Sequence, residues 1–389
     1  MNSPAELPLE GIRVLDLSRF VSGPFCAVQL ADLGAQVIKV ESPGTGDGTR
    51  RWGEKTTGPD NPYFISVNRG KKSIALDFKD PDDRAVLDKL LADAHVVVHN
   101  LKPSSAESLA LDFEAVRKLN SNVVYCDING FGRDSSRPAF DFIVQAASGM
   151  MSVNGVPEGE PLKLPFPLID VATSLYATIG ILSGLLQRSS NPLRGAVQVS
   201  ASMFDVGLAI MPNLVSQALM TGQEPKRLGN VHPTIAPYEP YEASDGWIAI
   251  GVATEPRWQS WCGAIERPEL ANDPRFASNP DRLANRRELW MLLNPIMSRR
   301  SVQEWLDICN RLEIPASRVA SIPEALSVSS LVSTVEHPSF PSGVPLYGSP
   351  IQLQGRPLGV GQRPPRFAEH SGEVKEGLWN SFTANEPAE

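Results

Sequence analysis

The stretch IRVLDLSRFVSGPFCAVQLADLGAQVIKV, residues 12–40, decides the fold. Ile12 to Leu17 and Val37 to Val40 are short apolar runs of strand length, and Pro24 to Leu33 between them reads as a helix. Pro24 stands in the first turn and Gly34 just past the last, the asymmetry that marks helix ends. A connection this short joins parallel strands, so the unit predicts an α/β domain with helices on the sheet faces. Ligands in such sheets sit beyond the carboxyl ends of the strands, which makes Ser18 to Ser22 and Glu41 to Gly48 candidate ligand loops. Free N–H groups at Gly23 to Cys26 can receive an anion.

The same pattern continues outward. Ser73 to Phe78, a helix from Pro81 to Ala94 and the strand Val96 to Val98 make a second unit; a helix at Phe113 to Leu119 and a strand at Val123 to Ile128 make a third. Gly44, Gly46 and Gly48 follow a strand as in a dinucleotide fingerprint. That reading fails, because the chain runs on through Arg50, Arg51 and Trp52 instead of opening a helix. Asn68, Arg69, Lys71, Lys72 and Lys79 flank the Ser73 strand, where a solvated rim and a phosphate site are the two readings. Further on come a helix over Phe140 to Met151, a loop Asn154 to Pro161, a strand Ala196 to Ser200 and a helix Ala201 to Met220. Residues 1–220 thus form a large α/β domain and Thr221 to Pro233 a breaker-rich linker. Residues 234–326 read as a small α+β domain. They hold strands near Tyr238 to Glu242 and Trp247 to Val252, and helices at Pro256 to Ile265, Arg286 to Met297 and Val302 to Leu312. Residues 327–389 are strand and coil with no core in prospect, so they are expected to complete the large domain.

At 389 residues the chain exceeds ordinary single-domain size, which favours two domains. A net charge of −8 argues against nucleic acid or an anionic membrane as the main partner, while leaving room for a local basic pocket. Cys26, Cys126, Cys262 and Cys309 are widely spaced in apolar surroundings, as expected of reduced, buried thiols in a cytoplasmic protein. The N-terminus lacks a signal-peptide pattern, and no uninterrupted apolar run of about 18 residues suggests a membrane span.

One carboxylate stands apart. Asp170 is the only charged residue between Lys163 and Arg188, at the head of an apolar helix over Val171 to Leu186 that Pro165 and Pro167 introduce. It reads as an N-cap, as a catalytic acid at the positive end of a helix dipole, or as both. No GxSxG, HExxH, Walker A or clustered Cys/His pattern offers other chemistry, and the five scattered histidines have no metal spacing. No metal is expected. Composition and pattern alone do not name a substrate.

Resemblance goes further. Residues 7–47, NRGKKSIALDFK, Asn100 to Pro103, VVYCDINGFG, FDFIVQAASGMM, PLIDVATSLYATIGIL and HPTIAPYEPYEASDGWIAI together resemble the class III CoA-transferase family, which includes formyl-CoA transferase and carnitine CoA-transferase and is related to α-methylacyl-CoA racemase. The resemblance implies a Rossmann-like large domain with a parallel sheet, a small α+β domain and an interlocked homodimer. It places the catalytic aspartate at Asp170 and CoA contacts at Val21, Ser22, Leu76 to Lys79, Asn100, Leu101, Lys102 and Phe140. The substrates it implies are an acyl-CoA, with succinyl-CoA as one donor, and a small carboxylic acid, with no tightly bound cofactor.

Departures from the family carry information. Val21 replaces a gating glutamine, Ser42 and Ser108 replace phosphate-side arginines, and Phe140 replaces a tyrosine. Phosphate binding is therefore expected to fall to Lys79, Lys102, Lys72 or Arg50. The glycine-rich lid is replaced by sequence around His232 to Pro237, which makes Val21 and His232 substrate-facing candidates and oxalate an unexpected substrate. The racemase branch, the runner-up, would need its histidine where Phe140 stands. A CoA-binding protein without catalysis is the third reading.

Overall fold

Six parallel strands carry the first part of the chain: β1 (Arg13–Asp16), β2 (Gln36–Glu41), β3 (Lys71–Ala75), β4 (Val96–His99), β5 (Val124–Asn129) and β6 (Val197–Ser202). Their order is β3-β2-β1-β4-β5-β6, so the winding reverses between β1 and β4. This computed structural model describes residues 7–53, 58, 60–359 and 361–382. Contacts divide the chain into two compact units. One holds the residues up to Met150, Lys163–Gln223 and those from Ser330; the other holds Met151–Leu162 and Glu224–Ser329.

In the first unit the strand residues alternate between two apolar layers. Val14, Val37, Val96 and Val98 face α1 (Ser22–Asp32) and a 23-residue helix, Leu168–Ser190, while Leu15, Ile38 and Val97 face Leu87, Leu90 and Val116. Both faces are covered, which explains the near-continuous Val/Ile runs. By length and composition the Leu168–Ser190 helix is apolar enough to cross a membrane, although the sequence showed no uninterrupted run. Here it lies on the sheet, burying Ala177, Ile181 and Gly184, with the Thr173 and Thr178 hydroxyls bonded to its own backbone.

Several boundaries move for local reasons. The helix expected over Phe140 to Met151 is split into Asp141–Ala147 and Met150–Val153 by Gly149, whose φ of 82° is left-handed. The helix expected over Ala201 to Met220 is two helices, Met203–Ala209 and Pro212–Thr221, bent by 81°. Ser202 caps the first, and Pro212, lacking an N–H, opens the second.

Residues 330–359 and 361–382 are more ordered than coil. A hairpin pairs Val332–His337 with Phe340–Tyr347, and residues near His370 lie on the free edge of β3. There His370 N donates to Ser73 O at 2.9 Å, and Ala75 N donates to Ser371 Oγ at 3.1 Å. The backbone groups of an otherwise open edge are thereby used.

The second unit has its own core. β7 (Tyr238–Ala243), β8 (Gly246–Gly251) and β9 (Ala316–Arg318) form an antiparallel sheet, with Trp258, Trp261, Phe276 and Trp305 buried against it. The loop before Leu162 is held to this unit by Arg227, whose guanidinium donates to Ser152 O, Val156 O and Gly159 O.

Candidate active site

The reversal of strand order leaves a gap at the carboxyl ends of β1 and β4, and a cavity of about 550 Å³ opens there. Arg19 to Ser22 after β1, Asn100 to Pro103 after β4, Asn129 and Gly130 at the end of β5, and Phe140 and Asp170 line it. The two central loops are clasped together. Arg19 N donates to Asn100 Oδ1 at 2.9 Å, and Asn100 Nδ2 donates to Arg19 O at 2.7 Å.

Below these loops lies a buried charge network. Lys71 Nζ donates to Asp16 Oδ2 and to Pro24 O, each at 2.8 Å, and to Asn68 Oδ1 at 2.9 Å. Lys39 Nζ reaches Ser18 O and Asp47 Oδ2, both at 2.9 Å. Asp47 accepts from the N–H of Phe20 at 3.3 Å, a residue held at a left-handed φ of 70°. Burial opposes ionisation of Asp47, but the Lys39 ammonium and the Thr49 donors together outweigh it and hold the carboxyl at about 2. The network fixes the β1 loop, so that the Phe20 ring stacks on Trp52 at 5.0 Å and meets the edge of Phe140 at 5.6 Å. An aromatic wall results, beside Asp170.

Asp170 is not the N-cap. The Leu168–Ser190 helix starts two residues earlier than the carboxylate, with Pro167 at the capping position and no side-chain cap of its own. The cap comes from elsewhere: Asp141 Oδ1 accepts from Ile169 N at 2.7 Å and from Asp170 N at 3.2 Å. Among the described residues no backbone donor bonds the Asp170 carboxylate, and the residue lines the cavity. Burial and then the neighbouring Asp141 push it up to about 7, while the Ser22 hydroxyl pulls the other way. Ser174 Oγ lies 2.6 Å from Ser22 O and 2.7 Å from Asp170 O, tying this turn to the start of α1.

Of the residues singled out from sequence, Val21, Ser22, Asn100, Leu101, Lys102, Phe140 and Asp170 all line this cavity. Leu76 and Lys79 line a second one of about 280 Å³, which shares Arg19 and Leu101 with the first. Arg50 and Lys72 are brought to neither. Arg50 is buried between Glu41 and Asp60, 2.7 Å from an oxygen of each, with its guanidinium on the Phe64 ring. Lys72 Nζ binds Glu373 and Ser381 O, holding the C-terminal segment. Both cations are thus taken by structural carboxylates, which corrects the expectation that either serves a phosphate. His232 belongs to the second unit, where its ring packs on Tyr238 at 5.0 Å.

Sequence reasoning passed over Asp141 and Arg19. Asp141 is the first residue of an apolar helix, yet its partners are 28 and 29 residues away. Arg19 lies within a candidate ligand loop, but nothing local separates it from any exposed arginine.

A doubly wound sheet with a cavity at its reversal point and a half-buried carboxylate of raised pKa on the wall defines an α/β enzyme of ligand-cleft type. Comparison with known proteins gives its family. The model of CoA-transferase family III matches residues 9–371, and the chain belongs to that family. It is 34% identical to acetyl-CoA:oxalate CoA-transferase of Acetobacter aceti, covering 90% of each chain. It is 31% identical to human succinyl-CoA:glutarate CoA-transferase, over 94% of this chain and 85% of the relative. Among solved structures, a CaiB/BaiF family protein from Brucella suis superposes with a TM-score of 0.86 at 32% identity, covering 95% of this chain and 99% of that one. The chain is thus a family III CoA-transferase.

Proposed function

We propose that the enzyme transfers CoA through a thioester on Asp170. The carboxylate attacks the carbonyl of the donor acyl-CoA, giving a mixed anhydride and CoA thiolate. The thiolate then attacks the aspartyl carbonyl, releasing the donor acid and leaving aspartyl-CoA. The acceptor carboxylate attacks this thioester, forming a second anhydride and freeing the thiolate, which attacks the acceptor's acyl carbonyl. The new acyl-CoA leaves and Asp170 is regenerated. The observation that carries this reading is Asp170 itself, on a cavity wall, raised to about 7 by burial and by Asp141. A carboxylate deprived of water and cationic partners is a stronger nucleophile than one in solvent.

The adjoining cavities suit an extended acyl-CoA, with the thioester at Asp170 and the nucleoside beside Leu76 and Lys79. Relatives named for succinyl-CoA, glutarate and mesaconate support succinyl-CoA as donor and a small dicarboxylic acid as acceptor. Phe140 has no exchangeable proton, so an epimerase would lack its acid or base at that position. Four free, buried cysteines fit a reducing, cytoplasmic setting.

We take the enzyme to be an interlocked homodimer. Ile179 and Leu186 on the Asp170 helix are 60% and 71% exposed, and the apolar Pro212–Thr221 helix buries none of its residues. Apolar surface of that extent is normally covered by a partner. Sedimentation is expected to show a dimer that persists on dilution; a folded monomer would overturn the assembly. For the chemistry, the protein incubated with a panel of acyl-CoA thioesters is expected to gain the mass of CoA on the peptide carrying Asp170. Turnover without any such adduct after trapping would exclude the thioester route.

A further inference from the structure

We propose that Arg19 binds the diphosphate bridge of the acyl-CoA, at the joint between the two cavities. The inference rests on the acyl-CoA reading above and adds the residue that recognises the ligand's most highly charged part.

The cations at this end of the sheet fall into two groups. Lys39, Lys71, Arg50 and Lys72 each end on a carboxylate. Arg19 does not. Its side chain is exposed, its Nη2 donates to the neutral hydroxyl of Ser42 at 2.7 Å, and among the described residues no carboxylate pairs with it. A guanidinium carries five N–H donors, so most of the Arg19 fork is left for a ligand.

Its position is fixed by more than that one bond. Asn100 holds both the N–H and the carbonyl of Arg19, so the residue cannot drift from the gap between the β1 and β4 loops. Arg19 and Leu101 line both cavities. A ligand with its reactive end at Asp170 and its nucleoside in the smaller cavity has to pass this joint with the segment that links the two. In an acyl-CoA that segment runs through two adjacent phosphates. A planar, doubly donating fork matches their oxygens better than a single ammonium does. The Ser42 hydroxyl presents the fork without neutralising it.

Calorimetric titration of the purified enzyme with CoA and with 3′-dephospho-CoA tests the assignment, using wild type, Arg19→Gln and Arg19→Lys. Arg19→Gln is expected to weaken both ligands by roughly ten- to a hundredfold, because both carry the diphosphate. Arg19→Lys is expected to recover part of the loss, since it restores the charge without the fork. The thermal midpoint of each variant is expected to match wild type, the side chain being exposed. Unchanged affinity in Arg19→Gln overturns the proposal. So does a loss confined to CoA, which would place Arg19 on the 3′-phosphate, or a loss that Arg19→Lys does not relieve. Failure of the wild-type protein to bind CoA at all is a different result, and removes the acyl-CoA reading itself.

Discussion

Two sets of carboxylates sit near the same cavity and are shifted in opposite directions. Burial would raise Asp16, yet Lys71 and Lys39 outweigh it and keep the group ionised well below its usual range. At Asp170 no cation among the described residues opposes burial, and Asp141 adds a like charge. The first set is structural, since its ammonium groups also bond Ser18 O and Pro24 O and so fix the shape of the β1 loop. The second is poised to react. A desolvated carboxylate without a cationic partner is high in free energy, and forming an ester removes its charge. The comparison teaches that a reactive acid in this fold is marked by the neighbours it lacks.

The largest expected difference between the two sets is in catalysis. Asp170→Ala is expected to lower transfer by roughly 10⁴-fold or more while CoA binding, read by calorimetry, stays near wild type. Activity within about tenfold of wild type would erase the distinction.

Next is stability. Lys71→Ala leaves Asp16 buried beside only Lys39, at 3.9 Å, and is expected to cost about 3 kcal/mol in denaturant unfolding, the low end for a broken buried pair. A change below about 1 kcal/mol, the scale of an exposed pair, would show that the network does not brace the loop.

The smallest effect sharpens the contrast. Only ionised Asp170 attacks, so kcat/KM is expected to rise with pH and level off above about 7. Asp141→Asn keeps an oxygen for the Ile169 and Asp170 N–H groups but removes the like charge. The midpoint is then expected to move to lower pH by up to about one unit, with activity at mildly acid pH increased. A midpoint that stays in place or rises would mean that burial alone sets the Asp170 state.

Much of this molecule is legible in its sequence. The Pro24 and Gly34 punctuation, with apolar runs on either side, indicates a parallel sheet because those signals are local. The helix ends that were misplaced have local causes too, but weaker ones: Gly149 splits a helix, and Pro212 bends another. The site is less legible. Asp170 stands out as the lone charge in an apolar stretch, whereas its cap, Asp141, belongs to another helix, and no spacing rule joins them. Arg50 and Lys72 looked like phosphate ligands because sequence counts charges without showing their partners.

Periodicity, breakers and the isolated acid were thus set by the chain alone, since each depends on neighbours within a few turns. Which cations are neutralised, which carboxylate is left without one, and which loops meet where β1 and β4 part were decided only by folding. Electrostatic partners here come from residues as far apart as Lys72 and Glu373, and proximity of that kind exists only in three dimensions.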